Sequence, residues 1–232
     1  GASNVLANTG AVTVNGGTLA LGSYSDTVAP VTIGTAGGSI TSTTGVLTGS
    51  SYTFNNASAA SISAILAGTS GLTQSGSGTT TLSGANTYTG NNALSAGTVV
   101  LSGNGTLGSS ANNLTMSGTA ALDLQRALTV GNLVMASANT ITNSAGIASL
   151  TVSGSSSLGG SITTSGNQTY TGATILAANT SLATTANGTI TFSSTVNSDS
   201  ATAYGLTTST GTGSTVFAST VGANYPLASL ST

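Results

Sequence analysis

The chain has 232 residues and four charged side chains, Asp26, Asp123, Arg126 and Asp199, for a formal net charge of −2. It contains no His and no Cys, which removes the usual general bases, thiol nucleophiles and soft metal ligands, so no catalytic, cofactor or metal site is expected. Without clustered Lys and Arg there is nothing to hold nucleic acid or an acidic membrane surface.

Hydrophobic residues make up 38% of the chain and 33 residues are Gly. The remainder is dominated by Ser, Thr and Asn in a periodic arrangement, which favours a repetitive β architecture over a charged disordered tail. One elongated domain over 1–232 is expected, because each coil of a solenoid touches only its neighbours and a narrow core can be extended. So little charge leaves strand edges without the protection that Lys and Glu give soluble cytosolic proteins. The sequence opens at Gly1 with no initiator Met and no basic or apolar leader, so it reads as a mature product or a piece of something longer. No apolar run approaches the ~18 residues of a membrane span, so the segment is expected not to insert into a membrane.

In chain order, AVTVNGGTLAL over 11–21 places Val12 and Val14, then Leu19 and Leu21, at period two around an Asn-Gly-Gly break, which reads as strand, turn, strand. Val31 and Ile33 repeat the alternation after Pro30, which is expected at the start of a strand or in its approach. Ile40, Val46, Tyr52 and Phe54 continue it, with Gly37, Gly38, Gly45 and Gly49 at corners. Residues 55–67, NNASAASISAILA, have Ala content and an Ile62, Ile65, Leu66 spacing that would suit a helix. Alternating Ser around Ile62 and strand-like flanks favour β there.

The stretch 71–108 is the centre of the pattern, and its octet SGANTYTG at 83–90 returns as SGNQTYTG at 165–172, with Tyr88 and Tyr170 in the same slot. A motif that recurs in a nearly uncharged chain points to a repeated structural coil rather than an active site. LTMSG, LDLQ, LTVGNLVM and ITNSAGIASLTVSG keep the same beat from 114 onward, and a second repeat core falls at 157–182. Coils of ~20 to 25 residues at ~4.8 Å would give roughly ten coils over ~50 Å. Phe192, Phe217 and Tyr225 are expected in the core or at an end cap.

Residues 71–101, GLTQSGSGTTTLSGANTYTGNNALSAGTVVL, resemble the passenger-associated transport repeat of autotransporter secreted proteins. Gly76, Gly78, Leu82, Gly84, Asn86, Tyr88, Gly90, Ala96, Gly97 and Thr98 follow the family's order. Gln74 stands where that repeat commonly has Lys, so the surface is expected to carry even less charge than usual. The C-terminal third resembles the tandem repeats of filamentous-haemagglutinin-like bacterial surface adhesins. These resemblances imply a right-handed parallel β-solenoid, all-β, exported to the bacterial cell surface or secreted beyond it.

Such a scaffold could in principle serve several functions. Glycoside cleavage usually needs two cooperating carboxylates, and Asp123 with Arg126 reads better as a local pair or as solvent-facing residues. Asp26 and Asp199 read as loop residues, since the Gly-Gly-x-Gly-x-Asp calcium repeat is missing. Ice binding demands Thr at a constant coil spacing, a register that Thr79, Thr80, Thr81, Thr207 and Thr208 do not display. Tyr24, Tyr52 or Tyr204 could stack on a glycan, although tyrosines in such strands mostly point inward. The expectation is a non-enzymatic structural subunit of an extracellular fibre or adhesin, polymerising head to tail with other copies of itself through uncapped solenoid edges. The alternatives are a passenger stalk that binds host or surface glycans and, further off, an ice-binding solenoid.

Overall fold

A computed structural model describes residues 2–232, which form parallel β-solenoid windings with no helix among them. Contacts divide the chain into two compact units, Gly1–Asn112 and Asn113–Thr232.

Each winding of the first unit has three sides. One side stacks Val12–Val14, the latter half of Asp26–Ile33, the latter half of Val46–Phe54, Leu72–Gln74 and Asn92–Leu94, all parallel. In this register Val14, Ile33, Phe54, Gln74 and Leu94 form one inward file. The next side stacks Thr18–Gly22, Gly38–Ser42, Ala60–Ile62, Thr79–Leu82 and Thr98–Leu101, aligning Leu19, Ile40, Ile62, Leu82 and Leu101. The third aligns Asp26, Leu47 and Leu66. Alternation at period two puts a largely apolar set inside, and each fully buried Leu, Ile or Phe contributes about 1.5 to 3 kcal/mol.

The second unit is built the same way. Leu114–Met116, Leu133–Met135, the start of Ser156–Thr164, the start of Thr174–Thr184 and Val196–Ser198 stack on one side. Ala121–Leu124, Thr140–Thr142, the ends of those same two long strands, Gly205–Ser209 and Ser229–Ser231 stack on another. A separate five-stranded sheet is the third side and aligns Val130, Val152, Tyr170, Phe192 and Phe217. The rings of Tyr170 and Phe192 stack at 5.0 Å and those of Phe192 and Phe217 at 5.2 Å.

Two local expectations resolve differently from one another. Residues 55–67 form the strands Ala60–Ile62 and Ile65–Ala67 rather than a helix, because Ile62 and Leu66 each extend an inward file. Pro30, expected at a strand start, lies inside the continuous strand Asp26–Ile33, exposed and paired with Ser51. That strand turns from one side of the winding to the next, so a residue without an N–H is accommodated there.

The glycines of the central motif are required by stacking more than by dihedral angle. A Cβ on Gly76 would stand 2.2 Å from the Asn56 carbonyl oxygen, and one on Gly90 would stand 2.0 Å from the Gly71 nitrogen. Neither needs a positive φ, whereas Gly97 does, at +65°. The backbones of successive windings meet where these glycines lie, and any side chain would push the windings apart.

Candidate functional site

The four charged residues do not assemble into a reactive group. Asp26 is buried within a strand, not in the loop expected, and its Oδ2 accepts the amides of Val5 and Leu6 at 2.9 and 3.0 Å. It therefore ties the backbone of the preceding winding. Asp123 is buried too, and no ion pair joins it to Arg126 among the described residues. Its carboxylate accepts the Ser144 amide at 2.9 Å, the Ser144 hydroxyl at 2.5 Å and the Gln125 Nε2 at 3.0 Å. Alternation puts Leu122 and Leu124 inside and Asp123 on the outer side of the strand, where Ser144 of the next winding and Gln125 of its own cover the carboxylate. Nη1 of Arg126 is buried without a partner. Asp199 is the loop residue expected, accepting the Ala201 amide at 2.9 Å. No group of His, Cys, Asp or Glu able to hold a metal ion occurs among the described residues.

Chemistry is instead concentrated in buried amides and phenols that join windings. Asn86 accepts the Leu66 amide at 2.9 Å through Oδ1 and donates Nδ2 to the Thr106 carbonyl at 2.8 Å, so one side chain bridges the windings on either side of it. The hydroxyl of Tyr88 donates to Asn92 Oδ1 at 2.7 Å, and Asn92 in turn donates to the Leu107 carbonyl at 3.0 Å. Thr80 donates to Gln74 Oε1 at 2.8 Å while Gln74 Nε2 donates to the Gly76 carbonyl at 2.8 Å. Gln74 is thus an interior residue. The expectation that it lowers surface charge is corrected: at this inward position an amide both donates and accepts within the core.

Residues 5–21 and 72–101 match the passenger-associated-transport-repeat family model. No curated protein and no solved structure matches the chain. The second match covers the stretch expected from its motif, and the first was missed by sequence reading. Its signal was present, since Gly10, Gly17, Thr18 and Leu21 fall at the same offset from Gly90, Gly97, Thr98 and Leu101. The passenger-associated transport repeat thus has a physical reading here. Its Gly residues mark where windings touch, its Asn bridges neighbouring windings, and its Tyr is anchored inside.

The aromatic candidates separate by environment. Tyr52 is buried, and its hydroxyl lies 2.7 and 2.6 Å from the Leu47 and Ala67 carbonyl oxygens and accepts the Gly49 amide at 2.8 Å, which removes it as a sugar platform. Burial pushes its phenol up to about 12, against the opposing hydrogen bonds from Gly49 and Ala67. Burial raises Tyr88 and Tyr170 further. Tyr24 is exposed and Tyr204 half-buried. Phe192 is in the core as expected and Phe217 is half-buried, but Tyr225 is 46% exposed and lies outside the core.

Thr residues do share a register, though not those singled out above. Thr13, Thr32, Thr53 and Thr73 face outward in one file across four windings of the first unit. Thr129, Thr151, Thr169 and Thr191 do so in the second. This register was hidden in the sequence because winding length varies by a few residues at the corners.

Proposed function

We propose that the chain is a structural segment of a secreted bacterial passenger, exposed at the cell surface as part of an adhesin or extracellular fibre, and that its activity is mechanical. The observation that carries this reading is the consumption of the repeat signature by the scaffold. Asn86, Tyr88 and Gln74 are buried in winding-to-winding contacts, and Gly76, Gly84 and Gly90 lie against the backbone of the preceding winding. Side chains used in this way serve coherence of the solenoid and leave no reactive group behind.

The finer part of the proposal is head-to-tail association with other copies. Supporting it, the strands Val12–Val14 and Thr18–Gly22 pair on one edge only among the described residues, and so do Thr215–Phe217 and Ser229–Ser231. The inward files also open there. Leu19 is half-buried where Ile40 and Ile62 are fully buried, and Leu230 is 47% exposed. In the isolated 232-residue chain, unpaired edges above an incompletely covered core accept a further winding, and a contact between unlike ends propagates. Sedimentation and negative-stain imaging of the purified 232-residue chain test this. Concentration-dependent filaments are expected, and Leu19→Lys, which sets a charge inside the open edge, is expected to suppress them with the β circular dichroism retained. A monodisperse species at all concentrations would reject association and leave the passenger reading in place.

A further inference from the structure

One face of the second unit carries an open groove of about 640 Å³ that the scaffold does not use. It is lined by Thr115, Val134, Ser157, Ala177, Ala178 and Tyr204, which come from successive windings. The groove therefore runs across the strands, and at the ~4.8 Å separation of neighbouring strands it extends for about 19 Å. Thr115, Val134 and Ser157 share one register, so hydroxyl and apolar side chains alternate along the length of the groove. Val134 remains 41% exposed and Ile175, in register with Ser157, 47% exposed. Tyr204 supplies the one aromatic ring, and its phenol hydroxyl makes no hydrogen bond within the described residues.

We propose that this groove binds a neutral, linear glycan. A sugar ring has an apolar face of C–H groups and a rim of hydroxyls, which matches the apolar Val134, Ala177 and Tyr204 ring interspersed with the hydroxyls of Thr115 and Ser157. No charged residue lines the groove, so a polyanionic glycan gains nothing there. A peptide is disfavoured by the backbone. Leu133–Met135 and the adjoining ends of the two long strands are hydrogen-bonded on both edges, so no strand can be added at this face. The fixed spacing of the windings pre-organises the site, which lowers the entropy lost on binding. The inference rests on the reading of the chain as a surface-exposed segment only for its biological setting, because the binding itself is a property of the purified chain.

Affinity electrophoresis through gels containing galactomannan, mixed-linkage β-glucan or dextran, with polygalacturonate as the acidic comparison, tests the assignment. Retardation is expected in at least one neutral polysaccharide and not in polygalacturonate. Tyr204→Ala is expected to weaken it by about tenfold, and Ala177→Arg, at an exposed position, to abolish it while circular dichroism and thermal midpoint stay unchanged. Absence of retardation by all the neutral polymers, equal retardation by polygalacturonate, or retention of binding in both variants would overturn the proposal. None of these outcomes bears on whether the chain is a passenger scaffold.

Discussion

Oδ1 of Asn86 accepts the amide hydrogen of Leu66, twenty residues earlier in the chain, at 2.9 Å inside the core. Asp26 does the same for Val5 and Leu6, so two members of the same side of the winding catch the backbone of the winding before them. An amide, unlike a carboxylate, can also donate to the following winding, as Asn86 does to the Thr106 carbonyl.

Replacing Asn86 by Leu leaves the Leu66 amide and the Thr106 carbonyl without their partner, and a loss of about 2 to 4 kcal/mol is expected from two such groups. Asn86→Asp keeps the acceptor and loses the donor while placing a charge in the core, so it too is expected to be destabilising. Denaturant titration of both variants checks this. An unchanged midpoint for Asn86→Leu would show that the bridge carries no stability.

The two kinds of glycine predict opposite outcomes. Gly90→Ala drives a Cβ into the Gly71 nitrogen and is expected to cost about 1 to 3 kcal/mol or more, as overpacking does. Gly17 has nothing within 4 Å of the same atom, and its φ is not positive. Gly17→Ala is therefore expected to be neutral or to stabilise by about 0.4 to 1 kcal/mol through the unfolded chain. Thermal melts of the pair decide the matter, and a loss of equal size at both sites would refute the stacking account.

Stability should be lost on the alkaline side. Tyr52 is pushed up to about 12, chiefly by burial, and burial takes Tyr88 and Tyr170 higher. In the unfolded chain these phenols ionise near ~10. The folded protein holds its protons where the unfolded chain releases them, so the stability is fully present below about pH 10. Above it, stability falls by roughly 1.4 kcal/mol per pH unit for each buried phenol. For Tyr52 the decline ends near about 12. With no His, Cys or Lys in the chain, little change is expected from pH 6 to 9. Guanidinium unfolding across pH 6 to 11.5 measures the curve, and Tyr88→Phe is expected to flatten its alkaline limb. Equal stability at pH 8 and pH 11.5 would contradict the burial of these rings.

The inward files were legible because alternation at period two is local. Val12 and Val14, Tyr52 and Phe54, and Leu114 and Met116 each announce a strand and its buried face. The environments of Asp26, Asp123 and Gln74 were not legible. Each lies on a strand whose neighbours in space are about one winding away in sequence, and the corner lengths that set the register vary. The groove at Tyr204 was invisible for the same reason, since its lining residues are drawn from several windings.

What the sequence determined by itself was the architecture and the absence of the usual reactive groups. Short alternating runs broken by Gly and Asn, with four charged residues in the whole chain, leave a repetitive β scaffold as the stable way to bury the apolar set. What only the tertiary structure decided was which polar side chains turn inward and what each one meets there. Alternation fixes the face of a strand, but the partner across the gap belongs to the neighbouring winding, and backbone stacking alone brings the two together.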